Sequence, residues 1–104
     1  MLLLRAAETG KPAFQLRKGE EGISVFMPDA VQPPLTEAEI RAAFRPGSVV
    51  VTRTDAEITA KGLRIVPILG GEPLPDRLRA AHAEIRPGPG MGRPRFKQAL
   101  QELE

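Results

Sequence analysis

Cysteine, tryptophan and tyrosine are absent from the 104-residue chain, and histidine occurs once. Without cysteine the chain can form no disulfide, no thiolate nucleophile and no cysteine-based metal site. A single histidine, His82, excludes a two-histidine metal site, so we expect no metal. The apolar run at residues 2–4 is too short for a signal peptide or a membrane span, so we expect no membrane contact. The expected location is the cytoplasm, or a target cell that receives the domain as part of a secreted chain.

Charge of neither sign dominates, because the chain has 15 Lys and Arg residues and 13 Asp and Glu residues, which gives a net charge of +2. A balance of this kind does not favour nucleic-acid binding, which is typical of a clear basic excess. The hydrophobic fraction of 41% is enough for one small core, so residues 1–104 are predicted to form a single domain.

Short strand and helix patterns alternate along the chain and predict an α+β fold, with a sheet of four to five short strands and two to three helices. Strands are expected at residues 2–7, 13–17, 23–26, 48–53 and 63–68. The β-branched run at 48–53 suits burial on both faces, so we expect it at the centre of the sheet. Pro67 places the last of these strands at an edge, or ends it.

Helices are predicted mainly from their first residues. Thr36 and Thr54 each open a capping box, in which the hydroxyl accepts a hydrogen bond from the N–H three residues on. These helices should extend to about residues 44 and 61. A loop at 70–75 precedes a helix that begins near Pro75 and ends near residue 81, and residues 82–86 fit either its extension or a strand. In the last helix, at 94–103, an apolar stripe is expected to pack on the sheet; its members are Phe96, Ala99, Leu100 and Leu103.

Two local features have chemical potential. The glycine- and proline-rich loop at 87–92 precedes a helix, where backbone amides can hold a phosphate. Pro89 removes one of those amides, and the spacing matches neither the dinucleotide fingerprint nor the P-loop, so we expect a structural turn. His82 is the one side chain that titrates near neutrality, which makes it the obvious general base. A structural or surface role for His82 is the alternative.

In their order along the chain, several segments resemble a small ADP-ribosyltransferase-like toxin domain, of the type found among type VI secretion effectors and polymorphic bacterial toxins. The segments are Phe14–Gly19, Gly22–Phe26, Pro46–Arg53 and His82–Pro87, followed by Met91 and Phe96. The resemblance implies that the domain uses NAD as a substrate. It also implies two kinds of protein partner, a cognate immunity or antitoxin protein and a target that the sequence does not identify.

The same resemblance implies a site formed by Arg17, Ser24 and His82. Arg17 would neutralise the pyrophosphate of NAD, and Ser24 would contact the ribose on the nicotinamide side. His82 would complete the catalytic set, with Glu84 close to it in the sequence. A hypothesis of a different class is a non-catalytic bacterial protein-binding module, for example the C-terminal part of a larger secreted chain. The two hypotheses differ in whether the three residues converge on one cleft.

Overall fold

The computed structural model describes residues 1–68 and 73–104 as a five-stranded sheet with four α-helices and one short 3₁₀ turn. The strands are β1 (Leu2–Glu8), β2 (Ile23–Phe26), β3 (Ser48–Thr54), β4 (Arg64–Pro67) and β5 (His82–Arg86). The helices are α1 (Glu37–Ala43), α2 (Asp55–Thr59), α3 (Asp76–Ala81) and α4 (Arg93–Gln101), and the 3₁₀ turn is Pro28–Ala30. The α+β class and the strand number are as predicted, and the four helices lie at the four segments where the sequence predicted a helix, one more than the two to three expected in total. The predicted loop at 70–75 lies partly outside the described residues.

The strand order in the sheet is β3-β1-β2-β5-β4, with every neighbouring pair antiparallel. β3 is therefore an edge strand, and the prediction that its β-branched run forms the central strand is wrong. A β-branched run indicates a strand, but it does not fix the position of that strand in the sheet. In β3 no residue is fully buried, and Val49 is 41% exposed. The centre is β2, in which Ile23 and Val25 are each 1% exposed.

Residues 13–17 do not form the predicted strand. They belong to an irregular segment, residues 11–20, which crosses one face of the sheet and which we call the strap. Its apolar residues Ala13, Phe14 and Leu16 are buried in the core. The strap replaces ladder hydrogen bonds with bonds to a side chain, because the Glu104 carboxylate accepts from the N–H of Ala13 at 2.9 Å and of Phe14 at 2.7 Å.

The ambiguous residues 82–86 form strand β5, which pairs with both β2 and β4. β4 is the second edge of the sheet, as Pro67 indicated. Ile68 N–H donates to the His82 carbonyl at 3.0 Å, and the alternation of an antiparallel ladder then turns the Pro67 nitrogen away from β5. Proline is tolerated there because no ladder hydrogen bond is lost.

Apolar side chains cover both faces of the sheet. On one face, α4 and the strap pack over β2 and β5, and Phe96, Leu100 and Leu103 are buried there as predicted. On the other face, α1 and α3 place Ile40 and Leu78 against Phe26. None of the helices that the structure describes is long and apolar enough to span a bilayer.

Both predicted capping boxes are confirmed. Thr36 accepts from the Glu39 N–H at 3.2 Å, and Thr54 accepts from the Glu57 N–H at 3.1 Å. In each box the glutamate accepts in return from the threonine N–H. The two helices therefore begin at the residues that the sequence indicates.

The 87–92 loop makes a close backbone contact with the end of α2. Gly62 follows this helix with a φ of 79°, a conformation that favours glycine. A Cβ atom built on Gly88 would lie 1.9 Å from the Gly62 carbonyl oxygen. Gly88 thus has a structural role in the loop, which is to allow two backbone segments to approach one another.

Candidate functional site

The candidate site is a cleft formed by β1, the strap and residues 44–48, beside the point where the pairing of β1 with β2 ends. In the described part of the chain, Leu4 and Phe26 are the one residue pair that joins these two strands. β1 nevertheless continues to Glu8 alongside β3. The volume of the cleft is about 350 Å³. Its lining residues are Arg5, Ala6, Ala7, Glu8, Lys11, Pro12, Ala13, Gln15, Arg17, Glu20, Phe44, Arg45 and Ser48.

Ladder alternation shows which backbone groups face the cleft. Asp55 N–H donates to the Met1 carbonyl at 3.0 Å, so odd-numbered residues of β1 exchange hydrogen bonds with β3. The N–H and C=O of Ala6 therefore point toward β2, where the ladder no longer extends. On β2, Met27 N–H donates to the Ala81 carbonyl at 2.8 Å, so by the same alternation the Ser24 backbone faces β1. The cleft thus presents the backbone donor and acceptor of Ala6, whereas the Ser24 backbone lies across the gap, outside the lining residues.

Arg5 lies at the base of this opening and bridges its walls. Its Nε donates to the Ala13 carbonyl of the strap at 2.7 Å, and its Nη1 donates to the Ser24 carbonyl at 2.8 Å. The guanidinium thus donates to the Ser24 carbonyl, which in a continued ladder would accept from the Ala6 N–H. Burial lowers the pKa of Arg5 from its ordinary value, opposed by the charge of Glu20 and reinforced by that of Arg17. Arginine remains protonated in proteins, so Arg5 places a fixed positive charge beneath the cleft.

Cations outnumber carboxylates in the cleft by four to two. Its lining residues include four cations, Arg5, Lys11, Arg17 and Arg45, and two carboxylates, Glu8 and Glu20. The Lys11 ammonium contacts Glu8 at 2.8 Å and lowers the pKa of that carboxyl. The cleft is therefore net positive, although the balance of charge over the whole sequence conceals it.

Arg17 lies at the mouth of the cleft with an exposed side chain. One guanidinium nitrogen lies 3.9 Å from the Glu8 carboxylate, which is a long contact between two exposed groups and contributes little. Its backbone is held more firmly: Glu20 Oε1 accepts from its N–H at 2.7 Å, and Arg93 donates to its carbonyl at 2.8 Å. The arrangement fixes the main chain of Arg17 and leaves its guanidinium free to reorient toward an anion.

Ser24 and His82 form a hydrogen-bonded pair on the sheet face that α1 and α3 cover. His82 Nε2 and Ser24 Oγ are 3.1 Å apart, and His82 is 3% exposed. The imidazole also packs at 5.6 Å from the Phe26 ring. Glu84 lies directly opposite Ser24 in the β2–β5 register, where Arg86 Nη2 donates to its carboxylate at 2.6 Å.

The structure therefore brings two of the three predicted site residues, Ser24 and His82, into direct contact. Arg17 lines the cleft, whereas Ser24 and His82 are not among its lining residues, so the three residues do not converge on one cleft as the enzyme hypothesis expects. The hydrogen bond from Arg5 to the Ser24 carbonyl is the contact that links the two places. Sequence reasoning missed Arg5. A signal was present, because one arginine within an otherwise apolar strand pattern indicates a charge with internal partners.

Comparisons of the chain with protein-family models, with curated proteins and with solved structures find no significant match. The geometry of the cleft and the chemistry of its residues are thus the basis for assigning a function.

Proposed function

We propose that the chain is an ADP-ribosyltransferase-like toxin domain that binds NAD in the cleft formed by β1 and the strap, where β1 and β2 separate. The observation that carries the proposal is the separation of these strands around Arg5, with further cations at the mouth. A volume of about 350 Å³ lies at the low end of the range for small-molecule sites, so the cleft would enclose part of the dinucleotide.

Two chemical features of NAD match the cleft. Its pyrophosphate is an anion, and a guanidinium binds phosphate oxygens through two parallel hydrogen bonds. Arg17, which lines the mouth, would take this role. The carboxamide of the nicotinamide carries a donor and an acceptor, which the C=O and N–H of Ala6 would complement.

The contact between Ser24 and His82 would support the reacting end of the dinucleotide. In the proposed reaction the bond between ribose and nicotinamide breaks, nicotinamide leaves with the electron pair, and a nucleophile of the target attacks the anomeric carbon. Ser24 would hold the ribose through its hydroxyl, oriented by His82. Glu84 lies opposite Ser24 and is paired with Arg86, and its carboxylate would be the negative group that stabilises positive charge on the sugar.

Calorimetric titration with NAD tests the proposal. We expect the wild type to bind, and Arg17→Ala to bind at least tenfold more weakly with stability changed by less than about 1 kcal/mol, because the exposed side chain makes no core contact. Arg17→Lys should lose most of the same affinity, since an ammonium cannot form the two parallel bonds. Arg95→Ala is the matched control, because Arg95 is an exposed arginine on α4 whose partner is Glu102.

Expression in bacteria provides a second readout. The wild type should inhibit growth, and Arg17→Ala should inhibit it less at the same protein level. If the wild type does not bind NAD, or if both proteins inhibit growth equally, the enzyme proposal is wrong. The protein-binding module then becomes the favoured function.

A further inference from the structure

The outer edge of β3 carries a specific pattern of hydrogen-bonding groups. The alternation that directs odd-numbered residues of β1 to β3 also directs the backbone of Val49, Val51 and Arg53 back to β1. The N–H and C=O groups of Ser48, Val50 and Thr52 therefore face away from the sheet. Such an edge is a template for another strand unless its groups are occupied.

Part of this edge is already satisfied within the chain. Ser48 N–H donates to the Arg45 carbonyl at 3.1 Å, and Arg53 Nη1 donates to the Thr52 carbonyl at 2.6 Å. Within the described residues, four outward groups of the strand have no such partner. They are the Ser48 C=O, the Val50 N–H, the Val50 C=O and the Thr52 N–H.

We propose that this edge pairs antiparallel with the same edge of a second copy, about a two-fold axis at Val50. In this register Val50 exchanges two hydrogen bonds with Val50 of the second copy. The Thr52 N–H then meets the Ser48 C=O of the other chain, and the reverse contact follows by symmetry. All four unpaired groups gain a partner, whereas the occupied Ser48 N–H and Thr52 C=O face one another.

In the neighbouring registers, the four unpaired groups do not all gain a partner. A two-fold axis at Val51 would direct the Val50 N–H to the Thr52 carbonyl, which already accepts from Arg53. It would also place the Ser48 C=O opposite Thr54, whose N–H already donates to Glu57, so the Ser48 C=O would gain no partner. An axis at Val49 would direct the Val50 C=O to the Ser48 N–H, which already donates to Arg45. The pattern of occupied groups therefore selects a single register.

Side chains and charge agree with the same register. Val49, which is 41% exposed, would lie opposite Val51 of the second copy and bury its apolar surface there. Arg45 precedes the strand and Asp55 follows it, so antiparallel pairing brings opposite charges to both ends, where the Asp55 carboxylate also contacts the Met1 ammonium of its own chain at 3.1 Å. The intervening cation, Arg53, is held by the Leu103 carbonyl at 2.6 Å and lies over the Phe14 ring.

Single cysteines test the register, because the chain contains none of its own. In the proposed dimer the two Val50 Cα atoms lie about 5.5 Å apart, which is within reach of a disulfide. The two Val51 Cα atoms are offset by two residues, or about 6.8 Å along the strand, which places them out of reach. Mild oxidation should cross-link Val50→Cys into a dimer and leave Val51→Cys and Val49→Cys monomeric.

Sedimentation analysis over a range of protein concentrations tests the association itself. The wild type should show a reversible monomer–dimer equilibrium, and Val49→Lys should weaken it at least tenfold. Gln98→Lys, which adds the same charge at an exposed position of α4, should not. A wild type that stays monomeric up to millimolar concentration would overturn the proposal. A dimer that cross-links through Val51→Cys, or through none of the three cysteines, would overturn it as well.

Discussion

Replacing Gly88 by alanine should destabilise the protein through a backbone clash at one atom. The added Cβ would lie 1.9 Å from the Gly62 carbonyl oxygen and 3.1 Å from its carbonyl carbon. Both are main-chain atoms, so no side chain can rotate away. Gly62 itself has a φ of 79°, so moving it disturbs the end of α2. The contact can therefore be relieved only by displacing the loop or the helix end.

The expected cost follows from the size of that displacement. Ordinary van der Waals contact needs 3.4 Å or more, so the two segments must separate by more than an ångström. Overpacking of this kind costs about 1–3 kcal/mol or more, whereas the loss of glycine freedom in the unfolded chain returns only about 0.4–1 kcal/mol. We expect a net loss of about 2 kcal/mol. For a chain of this length that is a decrease in Tm of roughly 8–16 °C.

Thermal unfolding followed by circular dichroism, together with urea titration, measures the effect. Gly92→Ala is the matched control in the same loop, because its Cβ would meet nothing closer than Pro94 Cδ at 3.8 Å and its φ is negative. The control should change stability by less than about 1 kcal/mol. If Gly88→Ala is no less stable than Gly92→Ala, the close approach of the two segments is not a feature of the folded protein.

Three further predictions concern the core, one ion pair and the cleft. Leu100→Ala should cost roughly 2–4 kcal/mol in urea unfolding, whereas Leu2→Ala, at a half-exposed position, should cost under about 1 kcal/mol. The hydrogen bond from Arg77 holds the pKa of the Glu39 carboxyl below its ordinary value. The ion pair therefore stabilises the fold fully at a pH above the ordinary carboxyl pKa, and this stabilisation is lost as the pH falls through the lowered pKa. The Tm difference between wild type and Glu39→Gln should therefore be larger at pH 7 than at pH 2–3. Arg5→Lys should lower both Tm and NAD affinity, since an ammonium on a different stem cannot reproduce both bridging contacts. An unchanged Tm or an unchanged NAD affinity in Arg5→Lys would contradict the role given to Arg5.

Local features of the fold could be predicted from the sequence because their partners are close along the chain. The capping boxes at Thr36 and Thr54 depend on residues three positions away, and the stripe on α4 depends on helical periodicity. Pro67 indicated an edge strand or the end of a strand, because a missing backbone donor is tolerated in such places. The prediction of a strand at residues 13–17 was wrong for the opposite reason. The N–H groups of Ala13 and Phe14 donate to Glu104, about 90 positions away, and no local pattern shows such a partner.

The site was less predictable, because it depends on the point at which two strands stop pairing. Ser24 and His82 lie on β2 and β5, which neighbour one another, so their contact follows once the sheet order is known. Arg17 is placed by the strap, whose path no periodicity reveals. The position of β3 at the edge was equally hidden, since its composition suits the interior of a sheet as well as a half-covered edge.

Arg5 relates the fold to the proposed activity. A continuous β1–β2 ladder would pair Ala6 with the Ser24 backbone and leave no room for a ligand. The guanidinium instead occupies the Ser24 carbonyl and the Ala13 carbonyl, so the buried acceptors remain satisfied while the strands stay apart. One side chain thus stabilises the opening, holds the strap over it and supplies a permanent positive charge at its base. An alanine or a leucine at position 5 would suit the apolar strand pattern better, but it would leave two carbonyl groups unpaired and the cleft without its central cation.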